Sequence, residues 1–207
     1  MKRTTIAVLL IILTLGLMTA CGNSEQNGRE EQQTTAAAEE NVVSDETDVR
    51  DTMVIYFSAT GHTKSVAEKI AQITDAELYE IVPEELYTEE DIDYNDENSR
   101  ATKEQNDKSV RPAFAGEVPS LEGVKTIFLG YPIWFGQEPR IMDTFVESVD
   151  FDSITVIPFC TSGSSGIGDS GKDLEQNASG GTWIDGERFG AGASEDEVRS
   201  WLDSLQY

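Results

Sequence analysis

The stretch MVIYFSATGHTKSVAEKIAQI, residues 53–73, decides how this chain reads. Met53 to Phe57 is a continuous apolar run of strand length, the pattern of a strand covered on both faces. Thr63 to Ile73 then places Val66, Ala67, Ile70 and Ile73 on one face at helical spacing. The residues between them, Ser58-Ala59-Thr60-Gly61-His62-Thr63, form a hydroxyl-rich turn built around a glycine. Strand, turn and helix follow one another here, and the pattern recurs downstream. Leu78 to Val82 alternates like a short strand and Pro83 ends it. Lys125 to Gly130 and Ile154 to Phe159 read as two more buried strands. Arg140 to Val149 reads as a helix with Ile141, Phe145 and Val149 spaced i, i+4, i+8. Asp169 to Asn177 suits a helix, Thr182 to Phe189 a last strand and Ser194 to Leu205 a closing helix. Ser194 and Glu197 stand in the capping-box relation, with Val198, Trp201, Leu202 and Leu205 inward. Glu89 to Asp107 is polar and reads as a loop or a weakly packed helix. Five strands alternating with helices predict an α/β fold with a doubly wound parallel sheet.

Two further segments repeat the strand-to-helix handover of residues 58–63. They are Gly130-Tyr131-Pro132-Ile133-Trp134-Phe135-Gly136 and Thr161-Ser162-Gly163-Ser164-Ser165-Gly166. All three lie at the edge of an open α/β sheet where ligands collect, and together they point to a phosphorylated, planar cofactor. In the first, the hydroxyls of Ser58, Thr60 and Thr63, the amides around Gly61 and the positive end of the following helix can all donate to a dianion. The spacing is too short for a nucleoside-triphosphate loop, which needs four residues between its glycines followed by Lys and Ser or Thr. The plainer alternative is a hydroxyl-rich turn with an N-cap. His62, the single histidine, either donates to the phosphate or lies exposed beside it, and nothing marks it as a general base. In the second segment Trp134 offers a large flat face on which a planar ring can stack, the alternative being that Trp134 and Phe135 pack on the next helix.

These loops resemble those of short flavodoxin-like domains, which carry Tyr-Phe-Ser-x-Thr-Gly-x-Thr and Gly-Tyr-Pro-Ile-Trp-(Trp/Phe)-Gly; here they are Tyr56 to Thr63 and Gly130 to Gly136. The resemblance covers residues 53–207. It implies a flavodoxin-like fold, five parallel strands in the order 2-1-3-4-5, and FMN held without a covalent bond at the ends of strands one, three and four. Carried onto this chain, it places the phosphate on Ser58, Thr60, Gly61, His62 and Thr63. Trp134 would lie against the isoalloxazine ring, with Tyr131, Pro132, Ile133, Phe135 and Gly136 shaping the wall and a backbone amide reaching flavin N5 or O4. Thr161, Ser162, Gly163 and Gly166 would line the pyrimidine edge and the ribityl side, with Ser164 and Ser165 within reach of the ribityl or O2.

The ends of the chain carry a separate message. Lys2-Arg3, the apolar run Ile6 to Leu17 and then Met18-Thr19-Ala20-Cys21 form a charged region, a hydrophobic region and a small-residue cleavage site. The run is too short for a stable membrane span. Its end resembles a bacterial lipobox, with Met18 where that pattern prefers Leu. The resemblance implies a signal peptide over residues 1–20, removal before Cys21, and lipidation of the Cys21 thiol; ordinary secretion with cleavage near Ala20 is the alternative. Residues 21–51 are poor in aromatic and branched apolar residues, the composition of a flexible tether, ahead of a single domain over residues 52–207. The formal charge of −24 becomes two units more negative once Lys2 and Arg3 are removed. Such a balance argues against nucleic acid and against adsorption to anionic lipid, and favours a basic partner or plain solubility.

The remaining features bound the chemistry. With Cys21 lipidated, Cys160 would be the one remaining thiol, reading as a small buried filler rather than a reactive group. A His-built metal site has no second histidine to use. The acidic run Asp91-Ile92-Asp93-Tyr94-Asn95-Asp96 lacks the glycine and the bidentate glutamate of a calcium loop. The expectation is therefore an FMN-binding electron-transfer protein tethered by lipid to the outer face of a bacterial cell membrane. Its partner would be a redox protein or membrane redox complex with a basic docking face. Two rivals stand beside it: an NAD(P)H-dependent FMN or quinone reductase of the same fold, and a flavodoxin-shaped binding module without cofactor.

Overall fold

A computed structural model describes residues 50–205, which fall within one compact unit. The expected signal segment 1–20, Cys21 and the expected tether up to residue 49 lie outside the described residues, as do residues 206 and 207. The elements run β1 (Thr52–Tyr56), α1 (His62–Thr74), β2 (Glu77–Glu80), α2 (Arg100–Asn106), β3 (Thr126–Pro132), α3 (Arg140–Glu147), β4 (Thr155–Thr161), α4 (Ser170–Asn177), β5 (Thr182–Trp183), β6 (Glu187–Phe189) and α5 (Glu195–Ser204).

The sheet is wholly parallel, in the order β2-β1-β3-β4-β5, with β6 continuing beyond β5 against the same strand β4. Its three central strands, β1, β3 and β4, are buried almost throughout, as their unbroken apolar runs require. Alternate residues divide between two cores. Val54, Tyr56, Phe128, Ile157 and Phe159 face the side covered by α1 and α5. Met53, Ile55, Ile127, Leu129, Val156 and Cys160 face the other, where α3 and α4 contribute Ile141, Met142, Phe145 and Leu174. Each such side chain, fully buried, stabilises the fold by about 1.5–3 kcal/mol relative to exposure. The edge strand β2 is exposed at Glu77 and Leu78, and there the apolar run gives way to alternation.

Two expectations from sequence are refined. The last strand divides into β5 and β6 because Pro158 in β4 has no N–H to offer its neighbour. Ile184 N donates to Val156 O (3.1 Å), the chain then leaves the ladder, and pairing resumes at Phe159 with Glu187. Gly186 permits the detour, since a Cβ there would lie 2.3 Å from the Pro158 carbonyl oxygen. The polar segment 89–107 is a series of turns ending in α2. That helix is well packed, with Ala101, Thr102, Glu104 and Gln105 buried and Ser99 capping its start by accepting from Thr102 N. The closing helix carries the expected capping box between Ser194 and Glu197.

Candidate functional site at the carboxyl ends of the central strands

Helix α1, leaving β1, covers one face of the sheet and α3, leaving β3, covers the other, so the strand order switches direction between β1 and β3. The loops that leave these strands must diverge, and a crevice opens between them. A cavity of about 240 Å³ occupies this place. Its walls are Thr60 and His62 after β1, Pro132, Ile133 and Trp134 at the end of β3, and Thr161, Ser162 and Gly163 at the end of β4. Three independently read segments thus converge on one space. A more open depression of about 510 Å³ between β6 and α5 has none of the three loops among its walls.

The first loop is open and little satisfied. Thr60, Gly61 and His62 are exposed. Gly61 is the N-cap of α1 at φ +84°, a conformation that favours glycine, and a Cβ there would meet nothing within 4 Å. Its amide donates to Ser58 Oγ at 3.1 Å. The first intrahelical bond is Ser65 N to Gly61 O, and no side chain caps this N-terminus. Helix geometry therefore leaves the amides of His62, Thr63 and Lys64 without an intrahelical acceptor, at the positive end of a thirteen-residue helix. Thr63 is buried instead, its hydroxyl sharing a 2.8 Å hydrogen bond with Thr161 Oγ1, which pins the first loop to the end of β4. Lys64 reaches away to Glu80 at 3.1 Å.

The second loop is built the opposite way. Trp134 and Gln137 exchange two backbone hydrogen bonds of 2.9 Å around Phe135 (φ +51°) and Gly136 (φ +80°), a tight turn with both central residues left-handed. The Trp134 indole is 3% exposed, meeting Phe57 and Tyr87 edge to face at ring separations of 5.6 and 4.9 Å. Tyr87 is itself held by Glu104, which accepts from its hydroxyl at 2.6 Å, and by the Arg100 guanidinium 4.0 Å above its ring. Burial and Glu104 together push the Tyr87 phenol well above its usual range, so it stays neutral. Trp134 thus borders the cavity while most of it packs in the core. Phe135 is the exposed aromatic, its ring 5.0 Å from Tyr94.

Not every expected residue reaches the cavity. Tyr131 is fully buried, and its hydroxyl shares a 3.0 Å hydrogen bond with Ser170 Oγ. Ser58, Gly61, Thr63, Phe135, Gly136 and Gly166 stand outside the lining while belonging to the loops that make it. Cys160 is a free, buried thiol that burial pushes up to about 12, which keeps it protonated and unreactive at neutral pH. Three lining residues were not foreseen from sequence: Ile92, Tyr94 and Ala191. For the first two the only signal is a pair of apolar side chains, Ile92 and Tyr94, inside an otherwise acidic run. Tyr94 is half exposed and lies against Phe135 of the second loop, and its partial burial raises the phenol above the usual range.

The arrangement suits a ligand with an apolar planar part and an anionic end. Apolar and aromatic groups gather on one side of the cavity, and uncapped amides with exposed hydroxyls on the other. The enclosed volume is a little below the roughly 300–1,000 Å³ of common ligand pockets, so a larger ligand would extend over the open first loop. Among the described residues, no three His, Cys, Asp or Glu side chains gather to hold a metal, and no helix is long and apolar enough to cross a membrane.

Comparison with known proteins places this geometry. No curated protein matches the chain. A crystal structure of a protein assigned as a flavoprotein from Bacteroides uniformis is 44% identical, covers 74% of this chain and 98% of its own, and superposes with a TM-score of 0.71. One from Bacteroides eggerthii is 37% identical over 75% of this chain and 99% of its own, with a TM-score of 0.69. A flavoprotein from Lactobacillus acidophilus in complex with FMN shares the fold at 23% identity, over 74% of this chain and 99% of its own, with a TM-score of 0.54. The sequence profile described as flavodoxin matches residues 51–205, and the chain belongs to the flavodoxin family.

Proposed function

We propose that this protein binds FMN in the cavity between β1, β3 and β4 and serves as an electron-transfer protein. The observation that carries the reading is the meeting, at one switch point, of an uncapped α1 N-terminus with a cavity walled by Trp134, Ile133, Pro132 and Tyr94. In this reading the phosphate lies on the amides of His62, Thr63 and Lys64, with the hydroxyls of Ser58 and Thr60 and the imidazole of His62 around it. The ring lies between the Trp134 and Tyr94 sides, and Thr161, Ser162, Gly163 and Gly166 border its remaining edge. Thr63 contributes its amide rather than its hydroxyl, which is already engaged with Thr161.

A bound flavin supplies transfer of one or two electrons, and the residues around it bind, orient and tune it. The net charge of −24 opposes adding electrons to a nearby ring, favouring a low reduction potential. We further propose that lipidation at Cys21 holds the domain at the outer face of a bacterial cell membrane, where it meets a redox protein or membrane redox complex whose docking face is basic. Lys2-Arg3 is no twin-arginine signal, so in this reading the chain is exported unfolded and takes up FMN after translocation.

The test is spectroscopic. The full chain, reconstituted with FMN and kept anaerobic, is expected to bleach with dithionite, stay oxidised with NADH or NADPH, and reoxidise when an electron acceptor is added. Rapid bleaching by a nicotinamide without another protein would make it a reductase. Failure to take up FMN would make it a module of this fold without the cofactor.

A further inference from the structure

The turn that carries Trp134 is followed by a buried cluster of charges. Arg140 Nη1 donates to Glu138 Oε1 at 2.9 Å and to Asp143 Oδ2 at 3.1 Å, and Arg140 Nη2 donates to the side-chain oxygen of Gln137 at 2.6 Å. Gln137 is the residue whose backbone closes the turn onto Trp134, so the guanidinium grips the turn directly. Gln105 Nε2 donates to the Glu138 carbonyl at 2.9 Å, and Asn177 Nδ2 to Asp143 Oδ1 at 2.9 Å. Glu138, Arg140 and Asp143 are each at most 2% exposed. Two carboxylates facing one guanidinium leave a surplus negative charge where desolvation is costly. A single proton removes it.

The cluster also has a place to receive that proton. Glu138 Oε2 and Arg140 Nε are buried without a hydrogen-bond partner. Both residues line a polar cavity of about 160 Å³ that Asp173, Gln176 and Asn177 close from α4 and that Lys108 and Arg111 border from the chain after α2. A cavity of this size and polarity accommodates water, and the Lys108 side chain at its rim is 74% exposed.

We propose that Glu138 is a positioning residue that couples a proton to the cofactor-facing turn. With the proton, taken from solvent through the polar cavity, Arg140 serves Gln137 and Asp143 and the turn is held. Without it, the charged Glu138 draws the guanidinium by its Nη1 side, away from the separate Nη2 contact, and the grip on Gln137 loosens. The charged groups facing Glu138 are Arg140 and Asp143 of α3, Asp173 of α4 paired with Lys108 at 3.7 Å, and Arg111 after α2, which is bound to Glu147; Tyr131 of β3 and Gln105 of α2 face it as neutral groups. Burial chiefly pushes the Glu138 carboxyl up to about 7, Asp143 and Asp173 adding to it against the opposing pulls of its own backbone N–H and of Arg140. The folded state then binds a proton that the unfolded state has released. Stability contributed by this group falls as pH rises from the ordinary glutamate range to about 7, and is flat above it.

The link to FMN rests on the reading of the site given above, so the first readout omits the flavin. In the ligand-free full chain, the Trp134 indole N–H resonance, assigned by Trp134→Phe, is expected to move with pH with a midpoint near 7. It should be flat in Glu138→Gln, and its midpoint should fall in Asp143→Asn, which removes a negative neighbour. A Glu138→Gln curve matching wild type, or a wild-type resonance that does not move, would overturn the proposal. With FMN added, the wild-type dissociation constant should rise between about pH 6 and about pH 8 by roughly two- to tenfold more than that of Glu138→Gln, a unit difference in pKa being a factor of ten. Equal profiles would break the coupling to the ligand. No FMN binding at any pH would refute the flavin site and leave the ligand-free titration to judge Glu138.

Discussion

The two loops on either side of the cavity solve opposite problems. Residues 58–62 leave their polar groups at least partly exposed, cap no helix with a side chain and pack little, and Thr63 alone is buried. Residues 130–136 bury Tyr131, Ile133 and Trp134 and close in a turn gripped by Arg140. The contrast separates the requirements of an anion from those of a ring. In the proposed site a dianion needs donors left without partners, so that end would contribute little to stability until a ligand binds. A planar apolar group needs a rigid wall, and rigidity comes from packing that stabilises the empty protein as well. Side-chain caps stand at Ser99 of α2 and Ser194 of α5, whereas α1, like α3 and α4, carries none, and of these three uncapped starts it is α1 that opens on the cavity.

Substitutions can break this comparison, and the largest effect belongs to the second loop. Trp134→Ala should cost about 3–5 kcal/mol in urea unfolding of the ligand-free protein, as for other buried aromatics, and weaken flavin binding besides. A loss confined to binding would mean that the indole is not the core element its contacts with Phe57 and Tyr87 describe. In the first loop Thr60→Val should leave unfolding unchanged within about 0.5 kcal/mol. Calorimetric titration should show it weakening FMN by about 1.5–3 kcal/mol, the range for a hydrogen bond to a charged group, while riboflavin is spared. Equal losses for both ligands would remove the phosphate from Thr60.

Thr63→Val tests the seam between the loops. It leaves Thr161 Oγ1 buried without its 2.8 Å partner, and should lower stability by about 1–3 kcal/mol. The smallest effect is expected at Gly136→Ala. A Cβ there meets nothing within 4 Å, so the cost is the left-handed backbone alone, about 1 kcal/mol in thermal or urea unfolding. A much larger loss would show that the turn is under more constraint than its two backbone hydrogen bonds indicate.

The parallel sheet and its three ligand-edge loops were legible because an uninterrupted apolar run followed by a glycine- or hydroxyl-rich turn has few other uses in an α/β chain. Trp134 was legible as a large flat group, but not the Phe57 and Tyr87 rings that bury it, since those meet it only through the tertiary fold. Tyr94 was hidden in a run whose acids dominate its appearance. The division of the last strand follows from Pro158 on the neighbouring strand, and pairing partners are not visible along the chain. Nothing in Gln137-Glu138-Pro139-Arg140 marks it as interior, yet Glu138 and Arg140 are among the most buried charges described. Their burial comes from α2 and α4 closing over them, contacts distant in sequence.

The most direct test of the central claim is a titration of the protein with FMN, following quenching of flavin fluorescence, with riboflavin as the control. The account predicts tight quenching of FMN and much weaker quenching of riboflavin, because the uncapped α1 N-terminus is satisfied only by the phosphate. Equal quenching of the two flavins, or none, would contradict it.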